Sequence, residues 1–214
     1  MFIGRRDSLP RQEMAVELTK TGKSREVSRL PKGSMTIKNG LLVTPFAVLP
    51  GTVVIENGVI SYAGSDRQAP EGVEPVLDAQ GAYVAPGFID IHVHGGGGGD
   101  TMDGSRESLE LMGQTFSRWG TTAFLPTTVT AGHRETLQAV EAVREVAEKG
   151  TGGARVLGIH LEGPYIDMEK RGAHNPEYVR LPLLDELEEM ITAGTRAAQE
   201  ELARGYALVK EAVE

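Results

Sequence analysis

From Ala85 to Glu162 the sequence alternates short apolar runs with longer stretches of helical period, and few folds accept that rhythm. Strands are expected over Phe88–Val93, Thr122–Val129 and Arg155–Glu162, with helices over Ser105–Trp119 and Arg134–Glu148 between them. Strands joined through helices lie parallel in one sheet, so the expected class is α/β, an open sheet or a barrel. Leu109, Met112, Phe116 and Trp119 recur at helical spacing in the first helix, and Leu137, Val140, Val143 and Ala147 in the second. Both stripes read as core.

The flanks differ. Residues 35–84 carry short β-runs, and Asn57-Gly58 supplies the pair of positive-φ residues that a tight hairpin turn requires, so a small β domain is expected there. Residues 1–34 look like a disordered or spurious extension, since Met35 opens the first strand pattern directly and residues 1–33 hold eight Lys or Arg against four Asp or Glu with no sustained apolar period. Asp7, Glu13, Glu17 and Glu26 argue against a targeting peptide. Residues 183–214 read as a helical tail of one or two amphipathic helices, broken near Gly194.

The strand Phe88–Val93 runs into G-F-I-D-I-H-V-H, residues 87–94. Alternation puts Asp90, His92 and His94 on one face and Ile89, Ile91 and Val93 on the other. Two imidazoles two residues apart stand about 7 Å apart at Cα, near enough to converge on one ion with bonds of about 2.0 to 2.1 Å. Such a pair also occurs as plain surface or hydrogen-bonded core histidines; its place at the C-terminal end of a strand in a β/α series, where barrels carry their chemistry, favours the metal reading. G-I-H-L-E-G-P, residues 158–164, ends the third strand, with His160 and Glu162 on one face by the same rule. Alone, Glu162 reads as a capping or ion-paired carboxylate; beside His92 and His94 it becomes an oxygen ligand to the same ion. Asp90 is read as a supporting carboxylate.

Two loops follow these strand ends. Gly95–Gly99 lacks the Lys and Ser/Thr of a phosphate loop and the spacing of a dinucleotide fingerprint, which leaves either a flexible loop or one that lets substrate approach the backbone. K-R-G-A-H-N-P, residues 170–176, offers Lys170, Arg171, His174 and Asn175 to an anionic or hydroxyl-rich ligand. His133 starts a helix and reads as structural. The chain holds no cysteine, so histidines and carboxylates are the remaining metal-ligating side chains. A net charge of -8 argues against nucleic acid as a partner, and the absence of a long apolar run or a secretory signal pattern argues against a membrane. A cytoplasmic location is expected.

D-A-Q-G-A-Y-V-A-P-G-F-I-D-I-H-V-H-G-G-G-G, T-T-A-F-L-P-T-T-V-T, H-L-E-G-P-Y-I and K-R-G-A-H-N-P-E-Y-V-R resemble successive segments of the N-acetylglucosamine-6-phosphate deacetylase family of the metal-dependent amidohydrolases. The first segment marks the wider superfamily; H-L-E-G-P followed by G-A-H-N-P is specific to the deacetylases. The resemblance covers about Met35 to Arg180. It implies a TIM-like (β/α) barrel preceded by a small β-sandwich-type domain, with the first β/α units and the metal site in residues 85–182. It further implies one or two divalent ions, zinc or iron, and hydrolysis of the N-acetyl group of N-acetylglucosamine 6-phosphate to glucosamine 6-phosphate and acetate. By position Glu162 is then a metal ligand, His92 and His94 match the ligand pair of two-metal members, and His174 lies in the substrate-contact loop. Further histidine ligands and the general-base aspartate come from later strands of the family, whereas no histidine follows His174 here; Asp100, Asp103 and Asp167 are the aspartates nearest the motifs. A full barrel takes about 250 residues, and 85–214 provides 130, so an incomplete barrel is expected, with a homodimer where a complete one forms. Other readings are an amidohydrolase acting on a cyclic amide, disfavoured by the two specific motifs, and a non-catalytic half-barrel that binds a sugar phosphate or a partner chain.

Overall fold

A computed structural model describes the backbone of Phe2–Gly4 and residues 33–194. Of the extension expected over 1–34, residues 1 and 5–32 lie outside the described residues, as does the end of the helical tail, 195–214. The chain divides into two units, Met1–Gly87 and Phe88–Glu214.

The first unit is built on one sheet. β2 (Met35–Val43) pairs antiparallel with β3 (Val48–Glu56), which pairs antiparallel with β4 (Val59–Gly64). Asn57 and Gly58 turn between β3 and β4 at φ 53° and 80°, the left-handed pair that lets a two-residue hairpin follow the twist of its strands. β5 (Val76–Asp78) and β6 (Tyr83–Ala85) both run parallel to β2 along its other edge. β1 (Phe2–Gly4) adds antiparallel to β6, so these three residues of the expected extension belong to the sheet. Ile37, Leu42, Val53, Ala79 and Val84 form the buried cluster of this unit.

The second unit has the expected β/α rhythm. β7 (Phe88–Val93) is followed by a small hairpin of β8 (Gly95–Gly96) and β9 (Gly99–Asp100), then α1 (Arg106–Arg118), β10 (Thr121–Pro126), α2 (His133–Lys149), β11 (Arg155–Val156) and α3 (Leu184–Ala193). β7, β10 and β11 lie parallel with β10 in the middle. Ser105 starts α1 by accepting the Ser108 N–H, one of the four amides a helix start leaves unpaired. Leu109 and Met112 of α1, Val143 and Val146 of α2 and Phe124 of β10 make the core, with Phe116 edge-on to Phe124 at 5.0 Å between centroids.

Three expectations change. Trp119 is 55% exposed, because α1 stops at Arg118 and Trp119 caps it outside the buried stripe. The strand expected over Arg155–Glu162 ends at Val156. Leu157 N donates to Phe124 O, but Pro126 has no N–H with which to continue the parallel ladder, and pairing resumes only where His160 N meets Pro126 O and Thr128 N meets His160 O. Between those bonds the acceptor advances by two residues and the donor by three, so one extra residue is bulged out. Finally, Gly95–Gly99 is not a flexible loop: it forms the hairpin of β8 and β9 and packs on α1. A Cβ at Gly96 would stand 2.4 Å from the Phe116 ring and one at Gly99 would stand 2.5 Å from the Ser108 carbonyl oxygen, so glycine is what lets the hairpin lie against the helix.

Candidate metal centre

Each candidate ligand is placed by the end of a strand or by the segment beside it. His92 and His94 stand at the C-terminal end of β7, and Glu162 lies just past the bulge that follows β11. His92 Nε2 is 3.3 Å from Glu162 Oε2, His94 Nε2 is 3.2 Å from the same oxygen, and the two nitrogens are 3.3 Å apart. Among the described residues this is the group of three whose ligand atoms converge. Four bonds of about 2.0 to 2.1 Å at tetrahedral angles set ligand atoms about 3.3 to 3.4 Å apart, so the triangle has the size of one face of such a tetrahedron. Among the described residues no fourth His or carboxylate joins the three.

The hydrogen bonds agree. His94 Nδ1 lies 3.1 Å from the Thr127 carbonyl oxygen, which can only accept, so Nδ1 is the donor there and Nε2 is the nitrogen turned toward Glu162. The Glu162 N–H donates to Thr128 Oγ1 at 3.1 Å, and the Val93 N–H to Thr127 Oγ1 at 3.0 Å. The Thr130 N–H donates to His174 Nδ1 at 3.2 Å, bringing His174 Nε2 to 3.4 Å from Glu162 Oε1. Thus the segment that leaves β10, T-T-V-T over Thr127–Thr130, holds His94, Glu162 and His174 at once. Sequence reasoning assigned no role to these threonines. Their repetition beside a strand end was the available signal, but a hydroxyl or backbone acceptor has no characteristic spacing.

His160 donates from Nδ1 to the Ile91 carbonyl oxygen at 3.2 Å and sets its ring edge-on to His92, 4.8 Å between centroids. Asp90 Oδ1 accepts the His92 backbone N–H at 3.1 Å. Of the loop residues, His174 joins the cluster. Asn175 Oδ1 accepts the Glu177 N–H, Arg171 donates to the Met168 carbonyl, and Lys170 is exposed at the end of a short 3-10 turn, Met168–Lys170. The aspartates are engaged in capping. Asp100 and Asp103 cap the turn Thr101–Asp103 reciprocally, and Asp167 Oδ1 takes the Glu169 N–H. The Ser108 hydroxyl and the Asp100 N–H hold the Asp103 carboxyl below its ordinary range. His133 Nε2 pairs with Glu189 Oε2 at 2.5 Å, linking α2 to α3, in agreement with a structural reading.

The amidohydrolase family matches residues 83–213, which include the β/α units and the whole cluster. The chain belongs to the amidohydrolase family. An N-acetylglucosamine-6-phosphate deacetylase of Bacillus subtilis is 38% identical over 151 residues, covering 69% of this chain and 38% of the relative. An N-acetylgalactosamine-6-phosphate deacetylase of Escherichia coli O157:H7 is 38% identical over 116 residues, 54% of this chain and 31% of the relative. Among solved structures, an N-acetylglucosamine-6-phosphate deacetylase of Pasteurella multocida superposes with a TM-score of 0.65 at 32% identity, over 75% of this chain and 42% of that one. This amidohydrolase chain therefore spans well under half the length of the relatives it matches.

Proposed function

We propose that the chain serves metal-dependent hydrolysis of the N-acetyl group of N-acetylglucosamine 6-phosphate, a linear amide, giving glucosamine 6-phosphate and acetate. The observation that carries this reading is the His92, His94 and Glu162 triangle, sized for a divalent ion, in a chain similar to deacetylases of that sugar phosphate. Zinc or iron fits the two-imidazole, one-carboxylate set. When bound, the ion supplies Lewis acidity, polarising an amide carbonyl and acidifying water. The chain's own residues do the rest of what is assigned to it. Thr127 fixes the His94 tautomer and Thr128 anchors Glu162. Lys170, Arg171, His174 and Asn175 form the loop assigned to the phosphorylated sugar, where cations and an amide suit phosphate and hydroxyl groups.

The same reading takes β7, β10 and β11 with α1 and α2 as the opening β/α units of a TIM-like barrel, and the first unit as its small β-sandwich-type domain. It places the enzyme in the cytoplasm, as a homodimer where the barrel is complete. No helix among the described residues is long and apolar enough to cross a membrane.

The test is elemental analysis of the purified chain beside acetate release from N-acetylglucosamine 6-phosphate. One zinc or iron per chain, lost in Glu162→Ala, together with acetate release supports the proposal. Bound metal without release assigns this chain the metal half of the reaction and leaves the rest of the chemistry to groups beyond it. A chain that takes up no metal at saturating zinc or iron overturns it.

A further inference from the structure

We propose that Arg180 is a positioning residue that closes the neck of the loop 165–179 and docks that loop on the segment leaving β10. The proposal rests on the reading that this loop, through Lys170, Arg171, His174 and Asn175, takes the phosphorylated sugar, and goes beyond it by naming what holds the loop in place.

Within the loop the turns are closed locally. Lys170 N donates to Asp167 O, His174 N to Arg171 O and Tyr178 N to Asn175 O, while Asp167 and Asn175 each accept an amide two residues on through Oδ1. Bonds of that reach shape each turn but do not fix the course of the loop over the surface, which is left to its two ends and to its contacts with other segments. In its middle, His174 Nδ1 accepts the Thr130 N–H at 3.2 Å. At its start, a Cβ on Gly163 would stand 2.0 Å from Thr130 Oγ1, so glycine lets the chain enter the loop flush against the same residue.

Arg180 supplies the rest. Its backbone N–H donates to the Pro164 carbonyl oxygen at 3.2 Å, drawing the two ends together. Its Nε and Nη2 donate to Glu186 Oε2 on α3 at 3.1 and 2.8 Å, and Nη1 donates to the Tyr178 carbonyl oxygen at 3.0 Å and the Ala131 carbonyl oxygen at 3.4 Å. The guanidinium carbon lies 5.7 Å from the centre of the Tyr165 ring, whose hydroxyl donates to the same Glu186 oxygen at 2.7 Å. Tyr165 and Tyr178 belong to the two ends of the loop and Ala131 is the neighbour of Thr130. One side chain thus ties both ends of the loop to α3 and to the segment that the middle of the loop already touches. The Arg180 and Glu186 side chains are 25% and 19% exposed, and removing one partner of so shielded a pair costs more than at an open surface. Lysine is no substitute, because one ammonium cannot reproduce the fork that meets a carboxylate and two carbonyls at once.

The chain has no cysteine, so a single one introduced at an exposed position takes one nitroxide label, whose electron paramagnetic resonance line shape reads local mobility in the native state. In the full chain, Ala173→Cys reports on the loop, and Glu141→Cys on α2 serves as the control. Arg180→Met, which keeps an apolar stem and removes the fork, is expected to sharpen the line at position 173 and leave the line at 141 unchanged. Arg180→Lys should stay near the Met variant. N-acetylglucosamine 6-phosphate should broaden the sharpened line again. Calorimetric titration should show it binding about 3- to 10-fold more weakly to the Met variant than to wild type, because ordering the loop then falls to the binding step. If circular dichroism shows the Met variant unfolded, Tyr165→Phe, which removes a single donor, makes the same comparison with a smaller shift. A line at 173 that stays broad in the variant would overturn the proposal, and so would equal sharpening at 141, which would make Arg180 a support of the whole unit. Unchanged affinity in a variant with a mobile loop would also overturn it. Wild-type chain that binds no sugar phosphate, while the line at 173 sharpens as expected, would remove the ligand assigned to the loop and leave its placement by Arg180 standing.

Discussion

Thr128 is fully buried, and its hydroxyl oxygen takes the N–H of the residue that supplies the only carboxylate of the triangle. Thr128→Val keeps the shape and removes the acceptor, leaving a backbone donor unpaired at a cost of about 1 to 3 kcal/mol. Urea unfolding should show that loss, and metal affinity should fall about tenfold with it; Thr128→Ser, which keeps the oxygen, should recover most of both. Gly99→Ala tests the packing of the glycine hairpin. Its Cβ would meet the backbone of Ser108, which cannot swing aside, so the expected destabilisation is about 1 to 3 kcal/mol, read as a lowered denaturation midpoint with unchanged slope. The converging residues were legible in the sequence because strand alternation and metal-bond length both leave a spacing: His92 and His94 two apart, with Glu162 past the next parallel strand but one. The threonines were not legible, because what each one holds depends on β10 lying between β7 and β11. The hairpin of β8 and β9 was not legible for a related reason: the helix face it packs on, Ser108 to Phe116, lies nine to twenty residues further along the chain.

At the scale of elements, α3 is fastened by a polar clasp. The Tyr165 hydroxyl donates to Glu186 Oε2 at 2.7 Å, Arg180 donates to the same oxygen from Nε and Nη2 at 3.1 and 2.8 Å, and the guanidinium lies 5.7 Å from the Tyr165 ring centre. Burial pushes the Glu186 carboxyl up, but the hydrogen bonds from Tyr165 and Arg180 and the charge of Arg180 outweigh it and hold the group below its usual 4.5. Burial, reinforced by Glu186, pushes the Tyr165 phenol well above its usual 10.0. A carboxyl lowered by folding contributes stability that is present above 4.5 and lost as pH falls through the lower folded value. A phenol raised by folding contributes stability that is present below 10.0 and lost as pH rises beyond it. Thermal midpoints should therefore fall on both sides, and Glu186→Gln should flatten the acid limb attributable to this clasp. An unchanged acid limb in that variant would mean the clasp does not couple to unfolding. The helix was legible from its apolar period and its break at Gly194, whereas Tyr165 and Arg180, 21 and 6 residues before Glu186, carry no period that links them to it. Likewise the β/α order was legible, but the end of β11 was not, because the missing donor belongs to Pro126 on the neighbouring strand.

At the scale of the molecule, the second unit covers only part of its sheet. Ile89, Ile91 and Val93 share one face by alternation. Val93 packs against the core cluster under α1 and α2, but Ile89 and Ile91 are 61% and 66% exposed, and Phe88 on the opposite face is 66% exposed. Three large apolar side chains on one edge strand make a patch of the kind that soluble surfaces usually keep small. In this chain, which spans 34% to 38% of the length of three deacetylase relatives, that strand has β10 on one side and no described strand on the other. The chain studied alone should bind a hydrophobic dye such as anilinonaphthalene sulfonate in its native state. The double variant Ile89→Lys/Ile91→Lys should lower dye fluorescence and narrow the size distribution in light scattering. Each side chain is already in water, so each change should cost no more than about 0.5 kcal/mol, and the metal stoichiometry should stay as in wild type. Fluorescence that persists in the double variant would move the sticky surface elsewhere and leave the open edge of β7 a solvated one.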